Sequence, residues 1–147
     1  MTADLANPPT AAAPFGDRFA HLARVGDTLF LSGQVAVDDA GRVIAPGDAE
    51  AQAERIFEII RDVLTGYGAT LADVAHIRTF MTSLDDLPAY AIVRRRLFPA
   101  PGQTLSPAST TVEVSRLFLP GAVLEIEVTA ALPRGRRPRP HDRGGWG

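Results

Sequence analysis

The stretch SPASTTVEVSRLFLPGAVLEIEV, Ser106 to Val128, decides the fold. Side chains alternate across a strand with period two. Ser109 to Val114 and Val123 to Val128 therefore each read as a strand, joined by the corner Leu117-Phe118-Leu119-Pro120-Gly121. Leu124, Ile126 and Val128 point one way, Glu125 and Glu127 the other. Ser109, Thr111 and Glu113 share one face of the first strand. Two carboxylates beside that stripe make either a polar site or an ordinary solvated sheet face, and both readings stand at this point.

Working outward, Pro99 to Pro107 holds three prolines and a glycine, and reads as a loop. Before it, Asp85 to Leu97 reads as a helix, with Pro88 in its first turn and Leu87, Tyr90, Ala91, Val93 and Leu97 inward. The Arg94-Arg95-Arg96 run reads as its exposed side. Val74 to Thr82 is a strand, with Ala75, Ile77, Thr79 and Met81 on one face and Val74, His76, Arg78 and Phe80 on the other. A longer helix precedes it, with Ala53, Ile56, Phe57, Ile60, Val63 and Leu64 at helical spacing. Gln52, Glu54, Glu58, Arg61 and Asp62 fall opposite, Asp48 is its N-cap, and Gly66 or Gly68 its stop. Short strands are expected over Phe19 to Ala23, Thr28 to Ser32, Val35 to Val37 and Arg42 to Ile44. The order implies an α+β fold with two helices on one face of a mixed sheet. The second face mixes Phe80, Val74 and Val123 with His76 and Glu125, which points to cover by another copy of the chain.

Composition bounds the rest. A chain of 147 residues, 46% hydrophobic, is one domain. With no cysteine there are no disulfides, thiolate nucleophiles or sulfur-ligated metals. All fifteen cationic side chains are arginine, so Schiff-base lysine chemistry is excluded. The three scattered histidines show no metal-ligand spacing, and no metal is expected. No apolar run reaches a membrane span, and the N-terminus lacks the basic and apolar regions of a secretory signal, so a cytoplasmic protein is expected. Residues 1–14 read as a flexible arm, 15–132 as the folded domain, and 133–147 as a disordered Arg/Pro/Gly tail. That tail is cationic, but the remaining chain is acidic and interleaves no exposed aromatics with its arginines, which argues against a nucleic-acid partner.

The run Pro107-Ala108-x-x-x-Val112-Glu113-Val114-x-Arg116-Leu117, followed by Leu124-Glu125-Ile126, resembles the signature of the reactive intermediate deaminase family (Rid, or YjgF-like). Leu31-Ser32-Gly33-Gln34-Val35 and Asp85-Asp86-Leu87 resemble further elements of it, over about residues 19–132. The resemblance implies a six-stranded mixed sheet backed by two helices (a chorismate-mutase-like fold) and a homotrimeric barrel with a cleft at each subunit interface. It implies hydrolysis of small imines and enamines to a carbonyl compound and ammonia, with no cofactor. Glu125 falls where the family polarises water, and Ser32 and Gly33 where backbone groups line the ligand. The family's ligand-binding arginine reads as Ser109, its asparagine as Ala91, its early aromatic hydroxyl as Phe19 and its cysteine as Thr111. Losing a bidentate arginine–carboxylate contact costs about 2–5 kcal/mol. Alternatives are therefore a ligand-binding or regulatory trimer without catalysis, or a biosynthetic enzyme using the same cleft. Arg78 offers a replacement anion contact, although a salt bridge is its plainer reading.

Overall fold

Helix α1, Ala49–Thr65, forms where the 3.6-residue apolar stripe requires it, and the Asp48 side chain caps it by accepting from the Ala51 N–H. The computed structural model that shows this describes residues 2–12, 15 and 18–133. The strands are β1 (Asp4–Ala6), β2 (Leu22–Val25), β3 (Thr28–Leu31), β4 (Val74–Met81), β5 (Ala108–Glu113) and β6 (Leu124–Ala131). Helix α2, Leu87–Leu97, follows a single 3-10 turn, Leu84–Asp86, so the expected second helix begins two residues later as an α-helix. Pro88 sits at its start, where a missing N–H costs no helical hydrogen bond.

The strands form one sheet in the order β1-β2-β3-β6-β4-β5. Only β4 and β5 pair in parallel, and α2 is the crossover between them. The other pairings are antiparallel, which gives the expected mixed six-stranded α+β fold. Leu124, Ile126, Val128 and Ala130 of β6 join Ile77 and Met81 of β4 and the apolar stripe of α1 in one core. Among the described residues, the opposite face of the sheet carries no helix.

Four expectations are corrected. Residues 4–6 are not part of a flexible arm: they pair with β2 as an edge strand, Leu5 opposite Ala23. Thr10 Oγ1 then ties the chain to α1 by donating to the Asp62 carbonyl. On β4 the first two residues exchange faces, because the pairing with β6 shifts register between Val74 and His76. Val74 is consequently buried and Ala75 exposed. The short strands expected over 35–37 and 42–44 reduce to isolated bridges, Gln34 with Ile126 and Val37 with Val43.

Gln52, expected on the solvent side of α1, is fully buried. Its amide nitrogen donates to the carbonyls of Ile44, Ala45 and Gly121, at 3.2, 3.0 and 2.9 Å, and its oxygen accepts the Val123 N–H at 2.9 Å. One side chain thus holds the entry to α1 against the corner that leads into β6. The predicted arginine-rich tail, beyond Pro133, lies outside the described residues.

Candidate active site

Strand β6 places Glu125 and Glu127 on the helix-free face, as the alternation requires, but gives them different surroundings. Opposite Glu127 stands Arg78, whose Nε pairs with the Glu127 Oε1. Opposite Glu125 stands Phe80, half-buried, and no cation. On the other side, the bridge between Gln34 and Ile126 brings Gly33 against the Glu125 carboxylate. A Cβ at Gly33 would collide with the Glu125 Oε1 and lie 2.9 Å from its Cδ. Any side chain there would push the flexible end of Glu125 aside.

Glu125 is half-buried and accepts no hydrogen bond from the described residues. Burial, first, and the charge of Glu127, second, raise its carboxyl above the ordinary value of 4.5. Of two carboxylates on one strand, one is neutralised by a cation and the other is held closer to its protonated form.

The Gly33 N–H has no acceptor among the described residues. Ser32 is committed instead: its N–H donates to the His21 carbonyl at 2.8 Å and its hydroxyl to the Ala20 carbonyl at 2.6 Å. His21 is buried in the same network. Its Nδ1 receives the Gln34 amide at 3.1 Å and its Nε2 donates to the Ala12 carbonyl, so geometry assigns it the neutral Nε2–H tautomer and a structural task. Phe19 is exposed. It lines, with His21, Gly33 and Arg55, a cleft of about 590 Å³ between the N-terminal segment and α1. Glu125 does not line that cleft. Among the described residues, Glu125 alone combines an unpaired ionisable group with a carboxyl raised above its ordinary value.

Ser109 and Thr111 are not beside Glu125 within one chain. In the parallel register Ser109 pairs with Ile77 and Thr111 with Thr79, both on the helix-facing side of β4. The polar face expected to combine Glu125 with Ser109, Thr111 and Glu113 is therefore split between opposite sides of the sheet, and β4 separates the two strands. Ala91, half-buried on α2, lies on the Ser109 side, one turn before Arg94. The predicted residues thus form two groups: Glu125 and Gly33, with Ser32 and Phe19 on the adjoining segments, and Ser109 and Thr111 with α2.

Arg94 joins the second group without having been expected there. It is half-buried, not on the exposed side of α2. Its guanidinium lies 5.6 Å from the ring centroids of both Tyr90 and Phe98. The Nη1 donates to the Tyr90 hydroxyl at 3.0 Å and to Ser109 Oγ at 3.3 Å. The signal for it is helical spacing: Tyr90, Val93, Arg94 and Leu97 form one stripe, which the run of three arginines obscures. Arg78, by contrast, is used by Glu127, in line with its plainer reading as a salt bridge.

The family described as "Endoribonuclease L-PSP" matches residues 7–132. A 3-aminoacrylate deaminase, RutC, of Acinetobacter baylyi is 31% identical over 107 residues, 73% of this chain and 81% of the relative. A 2-iminobutanoate/2-iminopropanoate deaminase of Dermatophagoides farinae is 29% identical over 109 residues, 74% and 81% of the respective chains. Among solved structures, YyfA of the Rid protein family from Yersinia pestis superposes with a TM-score of 0.78 at 26% identity, covering 88% of this chain and 99% of its own.

Proposed function

The chain belongs to the endoribonuclease L-PSP family, which includes the Rid (YjgF-like) proteins, and from that premise we propose that it is a cofactor-independent deaminase. Its substrate is a small reactive imine or enamine, hydrolysed to a carbonyl compound and ammonia in a cleft completed by a second copy of the chain. The observation that carries this reading is Glu125: a carboxylate with no cation among the described residues, raised in pKa by burial, with Gly33 packed against it.

The reaction needs little more. Water adds through oxygen to the carbon of the protonated imine while Glu125 takes one water proton and the C=N electron pair moves to nitrogen, leaving a neutral carbinolamine. Glu125 returns that proton to the amino nitrogen, the C–N bond breaks as ammonia leaves, and the hydroxyl proton passes to the Glu125 carboxylate and on to solvent as the C=O forms. A carboxyl raised above its ordinary value serves both steps, as base and then as acid. The Gly33 N–H, without an acceptor among the described residues, serves as a donor to the water or the developing hydroxyl.

Two features support a second copy. Phe30 and Val112, on the helix-free face, are 44% and 40% exposed, an apolar surface that β-sheet proteins cover. The candidate residues also lie on opposite sides of a single sheet, and a neighbour brings the two groups together where one chain does not. A closed ring of three copies is the assembly that the resemblance implies. The cytoplasm is the compartment this reading assigns.

Ser109 in place of an arginine favours the second reading, a trimer that binds a small ligand without turning it over. Ammonia release from freshly generated 2-aminoacrylate separates the two: saturable release above the spontaneous rate supports hydrolysis, and binding without release supports the alternative. Gly33→Ala gives a further check. The new Cβ displaces the Glu125 carboxylate, and a misplacement of about 1 Å costs on the order of 100-fold in rate. The expected result is that loss in kcat with the thermal midpoint little changed. Full activity in the variant would remove Gly33 from the site.

A further inference from the structure

We infer that Arg94, reaching from α2 to Ser109, is the anion anchor of the cleft, so that the ligand carries a carboxylate although the strand arginine is absent. This rests on the deaminase reading for the location of the cleft, but the anchor has its own evidence. Arg94 has no acidic partner among the described residues, whereas Arg42, Arg55, Arg78 and Arg96 all pair with carboxylates. Its Nε is buried without an acceptor. A half-buried guanidinium that meets only neutral hydroxyls is left short of counter-charge, which is costly unless an anion arrives.

The side chain is held ready for one. The rings of Tyr90 and Phe98 flank the guanidinium. Tyr90 is fixed in turn by a 2.6 Å hydrogen bond with Thr79, both buried. The Nη1 contact to Ser109 brings the positive charge to the position on β5 where the resemblance puts an arginine. Serine is the complementary residue there: it leaves room for the incoming guanidinium, while a second arginine would set two like charges against each other. The cation is kept and its origin is moved from strand to helix. The guanidinium edge left free at Nη2 then meets a carboxylate, as expected of 2-imino acids.

The test uses the full-length protein with 2-iminobutanoate, its neutral amide 2-iminobutanamide, and the unreactive product 2-oxobutanoate as a binding probe. Arg94→Met preserves the aliphatic packing and removes the charge. Its kcat/KM on 2-iminobutanoate is expected to fall by roughly 30-fold or more, chiefly through KM, with turnover of the amide changed less than about threefold. Calorimetric binding of 2-oxobutanoate should be lost in Arg94→Met and partly kept in Arg94→Lys. Ser109→Arg alone should weaken binding, and Ser109→Arg combined with Arg94→Met should restore it.

Equal losses on the charged and neutral substrates, or none on either, would overturn the anchor while leaving hydrolysis in place. So would Arg94→Met separating into monomers, since the missing counter-charge would then be a partner's carboxylate. If the unaltered protein hydrolyses neither imine, the deaminase reading fails by itself. The anchor would still be supported by 2-oxobutanoate binding that Arg94→Met abolishes, and overturned by its absence.

Discussion

Glu125→Gln is expected to lower imine hydrolysis by roughly 10²–10⁴-fold in kcat, the usual contribution of a positioned acid–base group. The substitution keeps the shape and removes the proton transfer. KM should move little, because the carboxylate acts on water rather than on the anchored end of the ligand. In the unaltered protein the rate should rise as pH climbs through the raised pKa of Glu125, since the base form is the one that accepts the water proton. In the Glu125→Gln variant that limb should disappear.

Stability should move in the opposite sense. The folded pKa of Glu125 lies above its ordinary 4.5, so between the two values the folded chain holds more protons than the unfolded one. Stability is therefore fully present below 4.5 and declines as pH rises through the raised folded value. Glu125→Gln removes this decline. Its unfolding midpoint at neutral pH should equal or exceed that of the unaltered protein, while its activity collapses. A variant that loses both together would show Glu125 to be a structural residue.

The second large effect is on folding. Gln52→Leu leaves the carbonyls of Ile44, Ala45 and Gly121 and the N–H of Val123 without their partner. An unsatisfied buried polar group costs about 1–3 kcal/mol. Some of that cost is relieved by local relaxation and by the apolar replacement, so a net loss of about 3–5 kcal/mol is expected, a large part of a typical domain's ~5–15 kcal/mol. Urea titration should show the midpoint shift with little change in slope. Because Val123 leads directly into β6, any Gln52→Leu protein that folds should also lose part of the Glu125-dependent rate. An unfolding midpoint within experimental error of the original would show that the amide is dispensable.

What can be read from the sequence follows from how local each signal is. Alternation over Leu124 to Val128 sets Glu125 and Glu127 on one face, and no tertiary contact is needed to know it. The apolar stripe and Asp48 locate α1 for the same reason. Val74 and Ala75 exchange faces because the register shift depends on the partner strand, which leaves no mark in residues 74–76. The parallel register of β5 hides the separation of Ser109 and Thr111 from Glu125: both strands alternate, but their relative facing is a property of the sheet.

Gln52 and Arg94 are hidden for a different reason. Each lies at core-facing helical spacing, Gln52 between Ala49, Ala53 and Ile56, and Arg94 after Tyr90 and Val93. Their polarity masks their position. A polar residue on a buried stripe is informative because its burial must be repaid by specific partners. In Gln52 those partners are four backbone groups. In Arg94 they are two hydroxyls and, by our inference, an anion.

The most direct measurement is sedimentation of the protein through a gradient in which ammonia release from freshly generated 2-aminoacrylate is read at each position. The account predicts that activity travels with the mass of three chains and is missing from that boundary in Glu125→Gln. Activity moving with single chains, or an equally active Glu125→Gln boundary, would contradict it.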